Sequence, residues 1–531
     1  VGPSSFFQRA NTLAATVNII TRKVDGVELS IGGGTDTPYS ANVLMGKRWS
    51  SDRYITGSLT LERKDGIDAW DANYKPVLAG FAETEQLNAS YFGVIEGQIG
   101  DTWAQFIAYD SRHPELGLNS QLNPDGSRIY DGIYLDQMFL FNLKHHLDVS
   151  DTLSADLLFD AGYKKVARFN GPGFVIAGGR ELEYPQFDYS AEIALEYKGM
   201  ENHFIYGGVQ TAYEDNERNV NLQNGIAYTL ISPDNNTHAV GVYLYDRWQV
   251  TPRFKAEGGL RIDYNSVLTD HAYNWGGRLA FAYEKTGNKN SWITKLILNR
   301  AVRYPSAIAA LNEAWGSDKP PGPTNPFTTS LPASRAEILS TIEWQSIFYW
   351  KGTRLSVNLY YQDLKDFISF FRPHTNVGDF NGYGMELEIE KRLSKKINLW
   401  ANASLVESEL ETDVVGSGSV NEEGRIIGAP SLTVTAGFDA DVTENITLSG
   451  QVRYFTDQAA FKRPERIFES VDNQAYVDLT ATYVDFLVKN LDLGFSVQNL
   501  LNNRDHISTQ WQPNQYRPRG RSLFLELRTS F

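Results

Sequence analysis

The side chains that could do covalent chemistry are few and scattered. The 531-residue chain has no cysteine, which removes thiol nucleophiles, disulfides and Cys zinc sites. Its eight histidines, at 113, 145, 146, 203, 238, 271, 374 and 506, form no His-Glu-x-x-His pattern. There is no Gly-x-Ser-x-Gly elbow and no phosphate loop. His145 and His146 are adjacent on a strand-like segment, so they point to opposite faces and cannot chelate one metal ion. No catalytic residue, no metal ligand set and no resident cofactor is expected, and the chain does not read as an enzyme.

Residues suited to binding are concentrated in long polar connections. The stretch 64–86 carries Trp70 and Tyr74 among Asp65, Asp68 and Asp71. Close-set carboxylates can hold calcium, but a solvated acidic loop is the preferred reading. The stretch 304–333 carries Trp315, Phe327 and the prolines 320, 321, 323, 326 and 332, whose stiffness lowers the entropy lost on ordering over a ligand. Phe370, Phe371, Arg372 and His374 crowd another tip, and 502–518 carries Trp511, Tyr516 and Arg517, with Arg519 just beyond. Aromatic faces beside guanidinium groups suit a flat, anionic, aromatic ligand such as a ferric catecholate. They equally suit a membrane-interface girdle. The candidate substrate-binding set is therefore Trp70, Tyr74, Trp315, Phe327, Phe371, Arg372, Trp511 and Tyr516.

The elements that would hold these loops follow from a period of two. In the last segment Leu523, Leu525, Leu527, Thr529 and Phe531 share one face. Ser522, Glu526, Arg528 and Ser530 share the other, with Phe524 as the exception. Thr353 to Tyr361, Tyr383 to Ile389 and Leu399 to Leu405 alternate in the same way. A strand that ends the chain on an apolar face is an exposed edge unless a neighbour covers each side. A closed barrel, with the last strand pairing to the first, removes that edge.

Short and long connections alternate along the whole chain. Turns near 50–52, 100–101, 149–151, 200–202, 251–253, 287–290, 351–352, 394–396, 443–445 and 489–490 are short and made of turn-forming residues. Between them lie 64–86, 112–131, 166–184, 215–235, 304–333, 411–429, 456–471 and 502–518, with three brief connections near 35–38, 266–272 and 373–378. One end of the structure is trimmed and the other elaborated, the asymmetry of outer-membrane barrels. Strand ends then count to about 22 or 23, depending on whether 353–371 is one strand or two. If the chain enters and leaves at the short-turn end the number is even. The segment 353–371 is therefore read as one strand, and about 22 strands are expected.

Composition agrees. Aromatic residues are 13% of the chain, with 28 Tyr, 28 Phe and 11 Trp, as interface girdles require. Mean hydropathy is −0.36, and no run reaches the ~18 apolar residues of a transmembrane helix. Alternating strands leave no such run. Glu386, Glu388, Glu390 and Arg354 are expected to face the lumen, because a charge on the lipid face costs about 2–4 kcal/mol at mid-membrane. The net charge of −15, from 49 basic and 64 acidic residues, argues against a nucleic-acid partner.

Several motifs carry a family resemblance. Gly2-Pro3-Ser4-Ser5 and Thr16-Val17-Asn18-Ile19-Ile20-Thr21-Arg22-Lys23 resemble the end of the plug domain in TonB-dependent outer-membrane receptors. Gln8-Arg9 and Ala14-Ala15 stand where that family usually has Tyr-Gly and Gly-Gly. Arg303-Tyr304-Pro305-Ser306 is similar to its Phe-Arg-x-Pro-Ser, with Val302 in the Phe position. Asn381-Gly382-Tyr383-Gly384-Met385-Glu386, Asn499-Leu500-Leu501-Asn502 and the terminal Phe531 resemble further family motifs. The resemblance implies an all-β fold: a transmembrane antiparallel barrel over 24–531, preceded by the C-terminal remnant of a plug at 1–23. It implies that most of the plug and the energy-coupling box lie upstream. It also implies active import across the outer membrane of a Gram-negative bacterium, driven by a TonB-type energy-coupling protein. The expected cargo is a ferric siderophore, so iron would arrive as a chelate. Cobalamin, haem and oligosaccharide are alternatives, with haem disfavoured because no His stands beside the Phe-Arg-x-Pro-like stretch. Outer-membrane lipid, lipopolysaccharide and a surface lipoprotein or protein are the other expected partners. A scaffold or protein-receptor barrel, and a passive porin, are the competing classes.

Overall fold

Strands form where β-branched and aromatic residues alternate with polar ones. The computed structural model describes residues 21–35, 37, 39–64, 88–114, 133–170, 180–216, 219–222, 227–229, 236–268, 271–287, 290–305, 335–368, 376–411, 429–456, 458–462, 467–504 and 520–531. Among the described residues there is no helix. The strands in chain order are β1 (Gly26–Gly34), β2 (Tyr39–Arg48), β3 (Arg53–Lys64), β4 (Asn88–Ile99), β5 (Thr102–Pro114), β6 (Ile133–Ser150), β7 (Leu153–Asn170), β8 (Arg180–Tyr197) and β9 (His203–Asn216). Then come β10 (Asn219–Leu222), β11 (Ala227–Thr229), β12 (Asn236–Thr251), β13 (Phe254–Asn265), β14 (Tyr273–Thr286), β15 (Asn290–Arg303), β16 (Glu337–Trp350), β17 (Thr353–Ile368) and β18 (Asn376–Arg392). The last are β19 (Ile397–Glu411), β20 (Leu432–Asp441), β21 (Ile446–Phe455), β22 (Gln458–Lys462), β23 (Ile467–Val471), β24 (Gln474–Tyr483), β25 (Leu491–Gln498) and β26 (Ser522–Ser530).

Twenty-two of these strands pair antiparallel, each with its sequence neighbours, into one closed barrel. The other four are loop hairpins: β10–β11 extends the loop end of β8, and β22–β23 stands as its own two-stranded sheet. These hairpins were not expected, because a four-residue strand is too short to show a period. Several barrel strands are also longer than the ten or so residues the alternation suggested, with 18 residues in each of β6, β7 and β8. Hydrogen bonding between neighbours carries them past the apolar belt, where no hydropathy signal remains. Thr353–Ile368 is one strand, with a bulge between Leu364 and Phe367 and a positive φ at Asp366.

The barrel closes as β1 pairs with β26, from Glu28 opposite Ser530 to Gly34 opposite Phe524. The Phe531 N–H donates to the Val27 carbonyl at 2.9 Å, and the Val27 N–H donates to the Phe531 carbonyl at 3.2 Å. Phe524, the exception to the alternation, lies on the inner face against Gly32. A Cβ at Gly32 would come within 2.5 Å of the Phe524 ring, so the glycine makes room for the inward aromatic. The β16–β17 turn holds Lys351 and Gly352 both at positive φ, 45° and 72°, the left-handed pair that a two-residue hairpin matched to strand twist requires.

The apolar face points outward all round. One continuous row runs from Val242 to Ile262 and Trp275, another from Leu298 to Ile342 and Tyr361, and the seam continues Ile31–Leu527–Leu493. Val242, Ile262, Trp275, Leu298, Ile342, Tyr361 and Ile31 are among the exposed large hydrophobics, while Tyr243, Arg261, Asn299 and Glu343 on the inner face are buried. Trp49, Tyr197, Trp248 and Trp350 ring the short-turn end of the outer face, and Tyr39, Tyr189, Tyr273 and Tyr383 ring the loop end. Glu386, Glu388, Glu390 and Arg354 lie on the lumen face as expected, opposite in phase to Met385, Leu387 and Ile389.

Candidate functional site

The eight residues singled out for binding, Trp70, Tyr74, Trp315, Phe327, Phe371, Arg372, Trp511 and Tyr516, all lie outside the described residues, as do Asp65, Asp68 and Asp71. So do residues 1–20 of the plug-like segment. What the structure describes is the wall and rim on which those loops stand.

The wall is cross-linked by polar side chains reaching between strands. Two inward residues of β13, Arg261 and Asp263, form a buried pair. The Arg261 Nε donates to both Asp263 carboxylate oxygens, at 2.8 and 2.9 Å. The Arg261 Nη2 also donates to Gln210 on β9 at 3.0 Å, and Gln210 donates to Glu192 on β8 at 3.0 Å. Tyr243 on β12 donates its hydroxyl to the other Glu192 oxygen and packs its ring near the guanidinium. Buried charges persist only where such partners are supplied. Gly241, opposite Asp263, makes the fit possible, because a Cβ there would overlap the Arg261 guanidinium. A cavity of about 20 Å3 lies beside the pair, lined in part by Asn265 and Tyr304. A second chain runs lower on the wall: Arg278 donates to Asn299 at 3.0 Å, and Asn299 donates to Thr341 at 3.3 Å.

The rim above this wall is clasped at the stems of the proline-rich loop. Tyr304 follows β15 and its hydroxyl lies 3.1 Å from the Asp263 carbonyl and 3.0 Å from the Ala272 carbonyl, tying the 266–272 connection to β15. Burial pushes the Tyr304 phenol up to about 12. Leu268, Val302, Tyr304 and Ala336 pack together around it. On the other stem Glu337, fully buried, pairs with Arg303 and accepts the Ile368 N–H at 2.7 Å. Asn376 bridges further by donating to the Arg335 and Asp366 carbonyls. Both stems of the 304–335 connection are thus tied to neighbouring strands. Its aromatic residues were visible in the sequence; the clasp was not. Its signal was slight: Glu337 and Arg303 are isolated charges at strand ends, far apart in the chain.

His145 and His146 behave as strand neighbours should. His145 lies 2.9 Å from Thr102 and His146 lies 2.7 Å from Asp156, on opposite faces.

A model of the β-barrel of TonB-dependent receptor-like proteins matches residues 31–500. The chain belongs to the TonB-dependent receptor family. Its membership places this barrel in the outer membrane of Gram-negative bacteria, with the short turns toward the periplasm and the loops outside. The family consists of receptor and transporter barrels and implies a TonB-type partner in general. None of the curated proteins compared with the chain matches it. Among solved structures, the siderophore receptor PiuA from Acinetobacter baumannii superposes with a TM-score of 0.71 at 15% identity, covering 100% of this chain and 85% of that one. The ferric yersiniabactin uptake receptor FyuA from Yersinia pestis gives 0.72 at 14%, covering 100% and 84%. The copper transporter OprC gives 0.73 at 14%, covering 100% and 84%. At such identities these likenesses speak for the fold of the TonB-dependent receptor barrel.

Proposed function

We propose that this TonB-dependent receptor imports a scarce cargo too large for porins, with a ferric siderophore as the first candidate. The observation that carries the reading is the pairing of a closed barrel, polar and hydrogen-bonded on its inner wall, with a hydrogen-bonded rim from which long aromatic-bearing connections leave. A flat anionic chelate would be captured by Trp70, Tyr74, Trp315, Phe327, Phe371, Arg372, Trp511 and Tyr516 through stacking and charge-assisted hydrogen bonds. Iron is cargo in this scheme, not a resident cofactor. Siderophore receptors among the structural neighbours support it, and the copper transporter keeps other metal chelates in view. No bond of the cargo is made or broken. Binding energy selects the ligand, and a TonB-type protein supplies the work of opening. Lipopolysaccharide would surround the outer aromatic ring, and a surface lipoprotein could dock on the loops.

The test is tryptophan quenching of the purified full-length protein by a panel of ferric siderophores, paired with uptake of radiolabelled iron in cells with and without the energy-coupling protein. Saturable quenching by one chelate and uptake lost without the coupling protein are the expected results. If no chelate quenches and planar bilayers show steady conductance, the import reading gives way to a pore. Neither quenching nor conductance would point to a scaffold or protein receptor.

A further inference from the structure

The short-turn end of the barrel carries one connection unlike its neighbours. The others between barrel strands at this end run two to five residues. The β24–β25 connection runs seven, Val484-Asp485-Phe486-Leu487-Val488-Lys489-Asn490, and four of them are apolar. Leu487 is the most exposed large apolar side chain among the described residues, at 82%, and Val488 is 60% exposed. Val442, in the neighbouring β20–β21 turn, is exposed as well.

Hydrogen bonds fix the shape of this turn. The Phe486 N–H donates to the Leu491 carbonyl at 2.6 Å, the Val488 N–H to the Phe486 carbonyl at 2.8 Å and the Leu491 N–H to the Val488 carbonyl at 3.3 Å. The Asp485 carboxylate accepts the Asn490 N–H at 2.6 Å, and the Asp492 carboxylate accepts the Asp485 N–H at 3.1 Å. The neighbouring turn braces it. The Val484 N–H donates to the Asn445 carbonyl at 2.8 Å, and the Asn445 Nδ2 donates to the Val484 carbonyl at 3.1 Å. Asp485, Leu487 and Asn490 have positive φ, at 56°, 63° and 65°. Asp and Asn tolerate that conformation, but a leucine in it is strained. Glycine or asparagine would suit the backbone better, so what Leu487 adds is an apolar tip.

That tip leans over the outer face of the barrel. Tyr483 extends the outer row Ile31–Leu527–Leu493, paired with Leu493 on one side and Ile446 on the other. The Phe486 ring packs edge-on against the Tyr483 ring, with centroids 5.4 Å apart. Asp492, which holds the base of the turn, belongs instead to the inner face opposite Arg528. The apolar side of the turn therefore continues the lipid-facing surface, and its polar side faces the other way.

We infer that the 484–490 turn is a membrane anchor: Leu487 and Val488 insert into the inner, phospholipid leaflet and hold the barrel edge beside the closing strand β26 at fixed depth. The partner is phospholipid because the row that the turn extends is already the lipid-facing surface. Lys489 follows the apolar pair, as suits an ammonium that reaches lipid phosphates while its stem stays in apolar surroundings. The anchor does not depend on what the barrel imports, and the lumen takes no part in it.

The experiment places a fluorophore at the tip. Leu487→Cys in the full-length protein is labelled with a nitrobenzoxadiazole dye and reconstituted in vesicles of phosphatidylethanolamine and phosphatidylglycerol, with identically treated parent protein as the blank. Asp151→Cys, in the two-residue β6–β7 turn, is the comparison, and Val488→Cys gives a second reading should the Leu487 variant not fold. Heat-modifiable migration on gels confirms that each barrel is folded. At Leu487 the emission is expected to shift to the blue, to fall at least twofold in vesicles of acyl-brominated lipid, and to resist aqueous iodide. At Asp151 the label is expected to be quenched by iodide and spared by the brominated lipid. Iodide quenching at Leu487 without lipid quenching puts the tip in water and overturns the inference. Protection from both quenchers assigns the tip to a protein contact and overturns it too. Equal lipid quenching at Leu487 and Asp151 reports the dye rather than the leucine and does the same.

Discussion

Ala401 and Asn402 are consecutive residues of β19 at almost the same depth, one facing out and one facing in. The outward positions of that strand are apolar from Ile397 through Ala401 and Ala403 to Leu405, and then change to Glu407 and Glu409. Eight residue steps at about 3.3 Å make about 27 Å along the strand. At the ~40° tilt of such barrels this is about 20 Å along the membrane normal, close to the ~25 Å apolar band. Ala401 is the midpoint. Ala401→Arg therefore places a guanidinium near the bilayer midplane, at a cost of about 2–4 kcal/mol. That is a loss of roughly 30- to 1,000-fold in the folded-to-unfolded ratio. Asn402→Arg puts the same group into the lumen opposite Glu388 and should change stability by no more than about 0.5 kcal/mol. The assay is reversible guanidinium unfolding from lipid vesicles, followed by tryptophan fluorescence. Equal costs at the two positions, or the larger cost at Asn402, would refute the assignment of lipid to the apolar face.

Other expected outcomes follow from the rim and wall. Glu337→Ala removes the buried acceptor of the Ile368 N–H and the partner of Arg303. Because Arg303 is 42% exposed and can rehydrate, the loss should be about 1–3 kcal/mol, read as a lower unfolding midpoint and faster proteolysis in 304–335. Gly241→Ala should displace the Arg261–Asp263 pair and destabilise by about 1–3 kcal/mol in chemical denaturation. Tyr304 has its folded pKa raised from 10.0 to about 12, so the stability it contributes is complete below pH 10 and drains away as pH rises toward 12. Tyr304→Phe should cost about 0.5–1.5 kcal/mol at neutral pH and remove that part of the alkaline decline, measured as unfolding midpoint against pH for both proteins.

The period-two pattern carried most of the architecture. Each side chain on a strand chooses between lipid and lumen by a rule that is local, so Leu399–Leu405 and Tyr383–Ile389 announced their faces without any neighbour being known. The alternation of short turns with long loops supplied parity, and parity supplied 22 strands. What was not legible depended on register. Arg261, Gln210 and Glu192 lie on three different strands, and a one-residue slip of any strand would turn its partner into the lipid. The same is true of Lys255 and Lys295, forty residues apart in the chain and brought to one row with Ala282 between them. Phe524 looked like a defect in its strand because its complement, Gly32, is at the other end of the sequence.

By itself, then, the order of residues determined the all-β class, the closed antiparallel barrel, the end that bears the loops and the family, since all of these rest on local alternation and on short motifs. Only the tertiary structure decided which inward charges meet, which are buried and where the rim is clasped. Those properties belong to sets of residues on different strands, and pairing register, not sequence distance, fixes the few ångströms on which hydrogen bonds and ion pairs depend.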